Sequence, residues 1–352
     1  MTDIKSLTRI ELESLVQEIS LPAFRGRQLF KWLWKRGIES IHEITEFSLA
    51  LRRELSGAFE IYSLEQIRKE HSVDGTIKWG LRLNDGLVVE SVLIPEKGHT
   101  TLCISTQAGC AMGCRFCLTG RMGFFRNLLP SEIAGQALHA IKDLPGEARP
   151  RNLVFMGMGE PLSNFENLLK AIEILTDDLG LNFSQRRITV STCGIAPRVV
   201  ELGQMTNVGL AISLHATTNP QRDRLMPINK VYPLEALLEA CRRFRLSPRR
   251  RITFEYLLLR GINDSEGDAN RLSGLLRGIP SKINLIPFNE CRGLPYKEPS
   301  KGTVLRFQEV LKGLNHTVII RKSKGRDISA ACGQLFSKQA KLAKGQAISM
   351  DC

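Results

Sequence analysis

Three cysteines within eight residues constrain this chain more than any other feature of its sequence. Cys110, Cys114 and Cys117 stand at spacings of four and then three residues, so their thiols can converge on one iron–sulfur cluster. A cluster held by four cysteines suits electron transfer, whereas one held by three keeps an iron atom open for a substrate. A structural zinc site is the alternative, but it needs a fourth ligand, and His71 and His99 fit no zinc knuckle. The spacing therefore favours a [4Fe-4S] cluster with an open iron.

An aromatic residue, Phe116, stands directly before Cys117. Together with the spacing of the three cysteines, this resembles the signature of the radical S-adenosylmethionine (SAM) superfamily. The resemblance implies that the open iron binds the amino and carboxylate groups of SAM.

The composition is that of a globular chain. At 352 residues and 43% hydrophobic content, it can bury a sizeable core. No apolar run approaches the roughly 18–20 residues of a membrane span, and residues 1–5 lead into an amphipathic helix rather than a signal peptide. We therefore expect a cytoplasmic protein with no membrane partner. Nine cysteines in such a chain indicate metal or redox chemistry rather than a disulfide framework.

The net charge of +13 indicates a polyanionic partner such as RNA. Solvated helix faces are the alternative for any single group of basic residues. Four such groups recur along the chain: Arg25, Arg27, Lys31, Lys35 and Arg36; Arg242, Arg243, Arg245, Arg249, Arg250 and Arg251; Arg321, Lys322, Lys324 and Arg326; and Lys338, Lys341 and Lys344.

The first 57 residues are predicted to be helical. Residues 8–11 form a plausible capping box, and a second helix is expected over residues 24–36, with Gly37 as its end. This helix carries aromatic and basic residues. Docking on folded RNA and packing as an ordinary helical bundle are equally compatible with that pattern.

Residues 76–94 change to a two-residue period, with a hairpin turn at residues 84–86. The return strand is apolar on both faces except for Glu90 and Ser91. A carboxylate in such a run is costly to bury unless it is paired or functional. Exposure on an edge strand is the alternative for Glu90.

Strands and helices alternate from about residue 100 onward, which predicts an α/β fold with a parallel sheet and right-handed crossovers. About six units favour an open, partial (β/α)6 TIM-type barrel. Predicted strands cover residues 101–107, 152–157, 187–192, 208–214, 251–259, 282–288 and 317–321, and predicted helices include residues 131–141, 164–175, 233–244 and 303–314. We divide the chain into an N-terminal helical module (1–57), a β-hairpin extension (58–98), the barrel (99–330) and a tail (331–352), which is expected to be partly disordered after about Gly333.

Unusual motifs follow the predicted strands, where barrels of this kind carry their function. They are the cysteine loop, residues 157–161, residues 191–194, residues 213–215 and Asn289. The backbone at Gly159 can approach a ligand closely, and Glu160 can accept from the SAM ammonium. Ser191, Ser213, Leu214, His215 and Asn289 are candidates for the carboxylate, ribose and adenine of SAM. Tight turns and helix N-caps are the structural alternatives.

The remaining cysteines divide by context. Cys241 lies on a predicted helix and is assigned to the core, and nothing assigns a role to Cys193, Cys291 or Cys352. Cys103 lies on the first barrel strand, and Cys332 lies in a segment of small residues after the last one. An accessible thiol on a flexible loop suits covalent catalysis.

The chain resembles the RlmN family, the radical SAM enzymes that methylate carbon-2 of adenosine in RNA. The likeness covers nearly the whole length, with small departures at Cys193 and at residues 107–108. Its matching segments are residues 24–33, 89–95, 110–117, 157–161, 213–216, 285–289 and 330–335.

The resemblance implies a two-stage reaction that uses two SAM molecules per turnover. Cys332 takes a methyl group from the first. A 5′-deoxyadenosyl radical, made from the second at the cluster, then takes a hydrogen atom from that methyl group. The resulting methylene radical adds to the adenine, Glu90 accepts a proton, and Cys103 resolves the protein–RNA adduct by forming a disulfide with Cys332.

The resemblance also implies partners and roles for the segments. The RNAs are 23S ribosomal RNA at the peptidyl-transferase centre and transfer RNA beside the anticodon, and the electron donor is flavodoxin-like. The resemblance assigns residues 1–57 as an RNA-binding accessory domain. The sequence gives no reason to expect a stable oligomer, so we expect a monomer. Three other interpretations remain: a Cfr-type enzyme acting on carbon-8, a non-catalytic iron–sulfur RNA-binding protein, and a radical SAM enzyme with another substrate class.

Overall fold

The computed structural model describes residues 2–290 and 293–335. Cys291, Cys352, Lys338, Lys341 and Lys344 therefore lie outside the described residues, as does the predicted disordered tail from residue 336 onward. Where the structure describes the chain, no helix is long and apolar enough to cross a membrane.

The described strands are β1 (Thr2–Asp3), β2 (Phe59–Glu60), β3 (Glu65–His71), β4 (Ile77–Arg82), β5 (Val88–Glu96), β6 (His99–Cys103), β7 (Gln107–Gly109), β8 (Phe124–Asn127), β9 (Asn152–Phe155), β10 (Ile188–Thr192), β11 (Gly209–Ser213), β12 (Ile252–Leu258), β13 (Ser281–Pro287) and β14 (Val318–Ile320). The helices are α1 (Arg9–Glu18), α2 (Phe24–Lys31), α3 (Leu49–Ala58), α4 (Leu118–Met122), α5 (Pro130–Asp143), α6 (Phe165–Thr176), α7 (Ala196–Met205), α8 (Asn219–Leu225), α9 (Leu234–Arg243), α10 (Glu266–Leu275) and α11 (Lys301–Gly313).

The centre of the fold is a parallel sheet in the order β6-β9-β10-β11-β12-β13-β14. At least one helix lies between each strand and the next, which gives six strand–helix units followed by a seventh strand. Apolar side chains on one face of each helix pack against the sheet, as Leu168 and Ile172 do in α6. The predicted partial (β/α)6 barrel is confirmed.

The hairpin extension continues this sheet. β5 pairs antiparallel with β6 on one side and with β4 on the other, and β4 pairs with β3. Glu90 in β5 therefore lies inside the sheet, and its side chain is only 1% exposed. The edge-strand alternative for Glu90 is wrong, because two further strands cover that side.

The predicted strand over residues 101–107 is in fact two strands. Barrel strand β6 ends at Cys103, and the amide groups of Thr106 and Gln107 donate to the carbonyl of Met158. Gln107 then begins β7, which pairs with β8 in a separate two-stranded sheet. This departure from the barrel carries the chain into the cysteine loop.

The predicted capping box is present at the start of α1. The Thr8 amide donates to Glu11 at 2.9 Å, and the Glu11 amide donates to the Thr8 hydroxyl at 3.3 Å. The second predicted helix is also present: α2 continues as one π-helical turn, Trp32–Arg36, and ends at Gly37 with φ +69°.

Two aromatic residues of this second helix, Phe30 and Trp34, face the protein interior. Phe30 and Trp34 are fully buried, and a Cβ atom at Gly180, between α6 and β10, would lie 2.9 Å from the Phe30 ring. Lys35 and Arg36 are exposed on the outside. Phe30 and Trp34 therefore join the module to the barrel, whereas these basic residues, together with Phe24, stay exposed and available to a polyanion.

Candidate functional site

The cysteine loop is closed at its base by β7 and β8. The Cys110 amide donates to the Gly123 carbonyl at 2.9 Å. Gly109 adopts φ +75°, and a Cβ atom there would lie 2.0 Å from the Gly123 carbonyl oxygen. Glycine is therefore required at position 109, because any side chain would open the base of the loop.

The three thiols of the loop line one cavity at the carboxyl ends of the barrel strands. Burial raises the pKa of each thiol, that of Cys110 to about 12, and ligation by a metal would remove the proton. Among the described residues, no three His, Cys, Asp or Glu side chains are close enough to hold a single metal ion. A cubane cluster does not require three side chains around one metal ion, because each cysteine binds a different iron atom.

Most of the residues predicted from the sequence line this same cavity. They are Cys110, Cys114, Cys117, Gly159, Glu160, Ser191, Ser213, His215, Asn289 and Cys332. Six different loops or strand ends contribute to this set, so the barrel topology brings it together.

Gly159 and Glu160 are held against the start of β7. Gly159 has φ +99°, and a Cβ atom there would lie 2.5 Å from the Gln107 side chain. The Gln107 Oε1 atom accepts from the Glu160 amide at 2.8 Å. The Glu160 carboxylate accepts from the amides of Leu162 and Cys193, and burial raises its pKa. The strand-end turn thus presents a buried, rigidly held acceptor.

His215 contributes a neutral ring. Its Nδ1 atom accepts from the Leu257 amide at 3.0 Å, and its ring meets Phe116 edge-on at 4.9 Å. Burial, and secondarily the nearby Arg222 guanidinium, lowers the pKa of His215 to about 3. The imidazole is therefore uncharged at neutral pH.

Leu214 is placed differently from its neighbours. It is fully buried and does not line the cavity. Its amide donates to the Glu255 carbonyl, and its own carbonyl accepts from Arg222 Nε at 3.1 Å. A cofactor contact by Leu214 remains a prediction.

Asn289 and Gln334 carry open hydrogen-bonding capacity. Both side chains are buried and line the cavity. The Oδ1 atom of Asn289 and the Oε1 atom of Gln334 have no hydrogen-bond partner among the described residues. A buried polar atom without a partner costs about 1–3 kcal/mol, so these two oxygens favour a ligand with donor groups.

Cys332 and Cys103, the two thiols predicted to act in catalysis, differ in exposure. Cys332 is exposed and lines the cavity, whereas Cys103 is buried at the end of β6. Burial, and secondarily the charge of Cys332, raises the pKa of Cys103 to about 12. Both are free thiols.

Glu90 is held by two cations of the hairpin extension. Arg68 donates to its Oε1 atom, and Lys78 Nζ lies 3.8 Å from the same atom. The buried carboxylate is thus paired with two cations, which offset the free-energy cost of burying its charge.

Comparisons with known proteins agree with this geometry. The Radical SAM superfamily profile matches residues 104–272, and the ribosomal RNA large subunit methyltransferase N-terminal domain profile matches residues 2–61. The dual-specificity RNA methyltransferase RlmN of Desulfosudis oleivorans is 51% identical over 95% of this chain and 90% of its own length. That of Geobacter sulfurreducens is 52% identical over 96% of this chain and 93% of its own length.

This chain belongs to the RlmN family of radical SAM methyltransferases. The crystal structure of a radical SAM methyltransferase from Sphaerobacter thermophilus superposes with a TM-score of 0.89 at 39% identity, covering 95% of this chain and 99% of that one. The chain is therefore an enzyme that methylates RNA with SAM and a [4Fe-4S] cluster.

The cavity fits the cofactors that the RlmN family uses. Cys110, Cys114 and Cys117 supply a three-thiolate donor set on one loop. The acceptor at Glu160 and the unpartnered oxygen of Asn289 match the donor groups of SAM. The three-cysteine signature and the strand-end motifs thus meet in one place.

Sequence reasoning missed three charged residues of the RlmN-family site. Arg222 in α8 is fully buried, and its guanidinium donates to the carbonyls of Cys193, Ser213 and Leu214. The sequence gives no signal for this role, because these three acceptors are backbone atoms.

Glu255 and Arg321 are the other two. The Oε1 atom of Glu255 in β12 accepts from the Asn284 side chain at 2.8 Å and lies 4.0 Å from the Arg321 guanidinium. The Glu255 Oε2 atom has no hydrogen-bond partner among the described residues. Both residues line the cavity. The signal that singles out Glu90, a carboxylate within an apolar strand, is also present at Glu255.

Proposed function

We propose that this enzyme methylates carbon-2 of adenosine in 23S ribosomal RNA at the peptidyl-transferase centre and in transfer RNA beside the anticodon. The observation that carries the proposal is the placement of a free thiol in the cavity of the three cluster cysteines. Cys332 lines this cavity, and Cys103 is a second free thiol, buried at the end of β6. The relatives are dual-specificity RNA methyltransferases, which supports two RNA substrates.

The target carbon explains why ordinary methyl transfer is insufficient. Carbon-2 of adenine is electron-poor and does not attack a sulfonium methyl group. When bound, the cluster and SAM supply the methyl group and the one-electron chemistry that such a carbon requires.

Cys332 is proposed to carry the methyl group. As a thiolate it forms a sulfur–carbon bond to the methyl group of one SAM, whose sulfonium bond breaks to leave S-adenosylhomocysteine. The hydrogen atom that leaves this methyl group would go to the 5′-deoxyadenosyl part of a second SAM, and the carbon then bonds to the adenine. The unpaired electron of the adduct would return to the cluster as carbon-2 loses its proton. The thioether at Cys332 then links protein and RNA covalently.

Glu90 is proposed to accept the proton that leaves carbon-2. The carboxylate is buried between Arg68 and Lys78, so it is held in one orientation without solvent access. General bases need such fixed geometry toward the proton they remove.

Cys103 is proposed to release the product. Its thiolate attacks the Cys332 sulfur, the S–S bond forms, and the bond from that sulfur to the RNA-bound carbon breaks. The electron pair of the broken bond stays on the carbon, which takes up a proton and so becomes the methyl group. The disulfide then takes two electrons from an external reductant before the next turnover. The electron donor is proposed to be flavodoxin-like, and the enzyme a cytoplasmic monomer.

The test is a nucleoside analysis with three cysteine variants. Reconstituted enzyme is incubated anaerobically with SAM, a reductant and a 23S ribosomal RNA fragment or a transfer RNA, and the digested RNA is examined by mass spectrometry against carbon-2 and carbon-8 standards. Cys332→Ala should retain the cluster and make no methyladenosine, and Cys103→Ala should accumulate a covalent RNA adduct. Cys241→Ala is the matched control, because Cys241 is a buried thiol of α9 outside the cavity.

A carbon-8 product would overturn the proposed position of methylation. Normal turnover by Cys332→Ala would overturn the carrier role and favour another route.

A further inference from the structure

The turn of the β3–β4 hairpin holds the segment that leads to Cys332. The Ser72 hydroxyl donates to the Asp327 carboxylate at 2.6 Å, and the Val73 amide donates to the same carboxylate at 3.1 Å. The Gly325 amide donates to the Asp74 carboxylate at 3.0 Å. Three hydrogen bonds to carboxylates thus join two segments that are about 250 residues apart in the chain.

Lys78 extends this contact toward the site. Its side chain is only 5% exposed, and its Nζ atom donates to the carbonyl of Ile328, four residues before Cys332. The same Nζ atom lies 3.0 Å from Glu70 and 3.8 Å from Glu90. One buried ammonium group therefore contacts both the Glu90 carboxylate and the backbone of the Cys332 segment.

The segment is also held on the other side of Cys332. The Leu118 amide donates to the Gly333 carbonyl at 2.8 Å, and the Thr119 hydroxyl donates to the Leu335 carbonyl at 2.7 Å. Both donors belong to α4, which begins directly after Cys117. Cys332 thus lies between two anchors, one on the hairpin and one beside the cluster loop.

We propose that Lys78 is a positioning residue that sets the separation between the Glu90 carboxylate and the methyl group on Cys332. The hairpin turn, Ser72 to Asp74, supports Lys78 by holding Gly325 and Asp327 through hydrogen bonds. The inference rests on the roles proposed above for Cys332 and Glu90. One adenine has to receive carbon from Cys332 and lose a proton to Glu90, so the two groups need a fixed spacing, and errors of about 1 Å are costly in such steps.

A purely structural role for Lys78 makes a different prediction. It would lower the amount of active enzyme and leave the chemistry of each active molecule unchanged. The informative quantity is therefore the yield of methyladenosine for each 5′-deoxyadenosine formed, because this ratio does not depend on how much enzyme is active.

The experiment compares Lys78→Met, Lys78→Arg, Ser72→Ala and the control Lys69→Met in the reconstituted holoenzyme. Lys69 lies on the neighbouring strand and pairs with Asp143 of α5 at 2.7 Å, away from the Cys332 segment. Lys78→Met should lower the ratio about tenfold, equivalent to about 1.4 kcal/mol. Lys78→Arg should recover most of it because it retains a cation, Ser72→Ala should lower it less, and Lys69→Met should match the wild type.

A second readout needs no turnover. Amide hydrogen exchange of residues 325–334 in the protein without SAM should be faster in Lys78→Met and Ser72→Ala than in the wild type or Lys69→Met. An unchanged ratio together with unchanged exchange in Lys78→Met overturns the positioning role, as does an equal loss in Lys69→Met. If the wild type itself makes no methyladenosine, the proposed function fails, and the exchange measurement still decides whether Lys78 holds the segment.

Discussion

Gly159 shows at the scale of one residue how backbone geometry builds the site. It has a positive φ, and a Cβ atom at this position would lie 2.5–2.8 Å from Gln107 atoms. The contact keeps Glu160 in hydrogen-bonding range of Gln107 and close to the cavity. Both the conformation and the space therefore require glycine.

We predict that Gly159→Ala lowers the free energy of unfolding by about 1–3 kcal/mol and weakens SAM binding. Gly278→Ala is the control, since Gly278 also has positive φ, at +78°, but nothing lies within 4 Å of its Cβ position. Urea unfolding of both variants measures the difference. Equal losses in the two variants would show that conformation alone, without the contact with Gln107, accounts for the effect.

The pKa of Cys103 predicts a pH dependence for release of the product. This pKa is raised to about 12, mainly by burial and secondarily by Cys332, and Arg321 opposes the rise. In the adduct Cys332 is an uncharged thioether, so burial is the effect that keeps the pKa high. Because the thiolate is the nucleophile, its fraction grows about tenfold for each pH unit below that pKa. The decay rate of the isolated RNA adduct should therefore rise steeply between about pH 7 and pH 9. A rate that is flat over this interval would rule out Cys103 thiolate formation as the limiting event.

The sequence predicts the identity of site residues better than their partners. Glu90 stands out because a carboxylate interrupts an apolar strand, and the three cysteines stand out by spacing. Arg222 gives no such signal, because three of its four hydrogen-bond acceptors among the described residues are backbone carbonyl groups, which any residue could supply. Glu255 carries the same signal as Glu90, but only the structure shows that it faces the cavity with Arg321 beside it.

At the scale of elements, α8 stabilises two strand ends through one side chain. Arg222 donates to the carbonyl of Cys193 at 2.6 Å and to those of Ser213 and Leu214 at 3.2 and 3.1 Å. It also donates to the Asn229 side chain at 3.0 Å. A planar guanidinium can satisfy these acceptors together, which an ammonium cannot.

We predict that Arg222→Lys lowers the free energy of unfolding by about 3 kcal/mol, because buried carbonyls lose their donors. SAM affinity should fall as well, since Ser213 and Cys193 belong to the walls of the cavity. Arg224→Lys, an exposed change on the same helix, should have little effect. Denaturation and SAM-binding measurements on both variants check this, and an unaltered unfolding midpoint for Arg222→Lys contradicts it.

Element boundaries follow from the sequence where apolar periodicity is strong. The predicted helix over residues 164–175 corresponds to α6, Phe165–Thr176, and the predicted strand over residues 251–259 corresponds to β12, Ile252–Leu258. Strand β3, Glu65–His71, has no apolar alternation and forms through its backbone pairing with β4 and through ion pairs such as Lys69 with Asp143. Contacts with partners elsewhere in the fold leave no hydrophobic pattern in the sequence of the strand itself.

At the scale of the whole molecule, the basic groups of the sequence are distributed unequally. A second opening lies at the amino-terminal ends of the barrel strands and shares Glu255 and Arg321 with the first cavity. Eight basic side chains and three acidic ones line it; the basic ones are Lys97, Arg186, Arg187, Arg250, Lys282, Arg321, Lys322 and Lys324. Charge complementarity favours RNA phosphates at this opening.

We predict that the double variant Lys322→Gln/Lys324→Gln weakens RNA binding and lowers the slope of log affinity against log salt by about 2, since each phosphate contact contributes about 0.9. The double variant Arg242→Gln/Arg243→Gln on α9 is the control, because neither residue lines the opening. Binding titrations at several salt concentrations measure the slope. A larger change in the control pair would place the RNA on the α9 face instead.

The most direct test of the central claim, that Cys332 carries the methyl group to carbon-2, follows the hydrogen atoms of that group. The enzyme is incubated anaerobically with SAM whose methyl group is fully deuterated, a reductant and a ribosomal RNA fragment, and the nucleosides are analysed by mass spectrometry. We expect carbon-2 methyladenosine that retains two of the three deuterium atoms, because one leaves while the group is on Cys332. Retention of all three would contradict that claim.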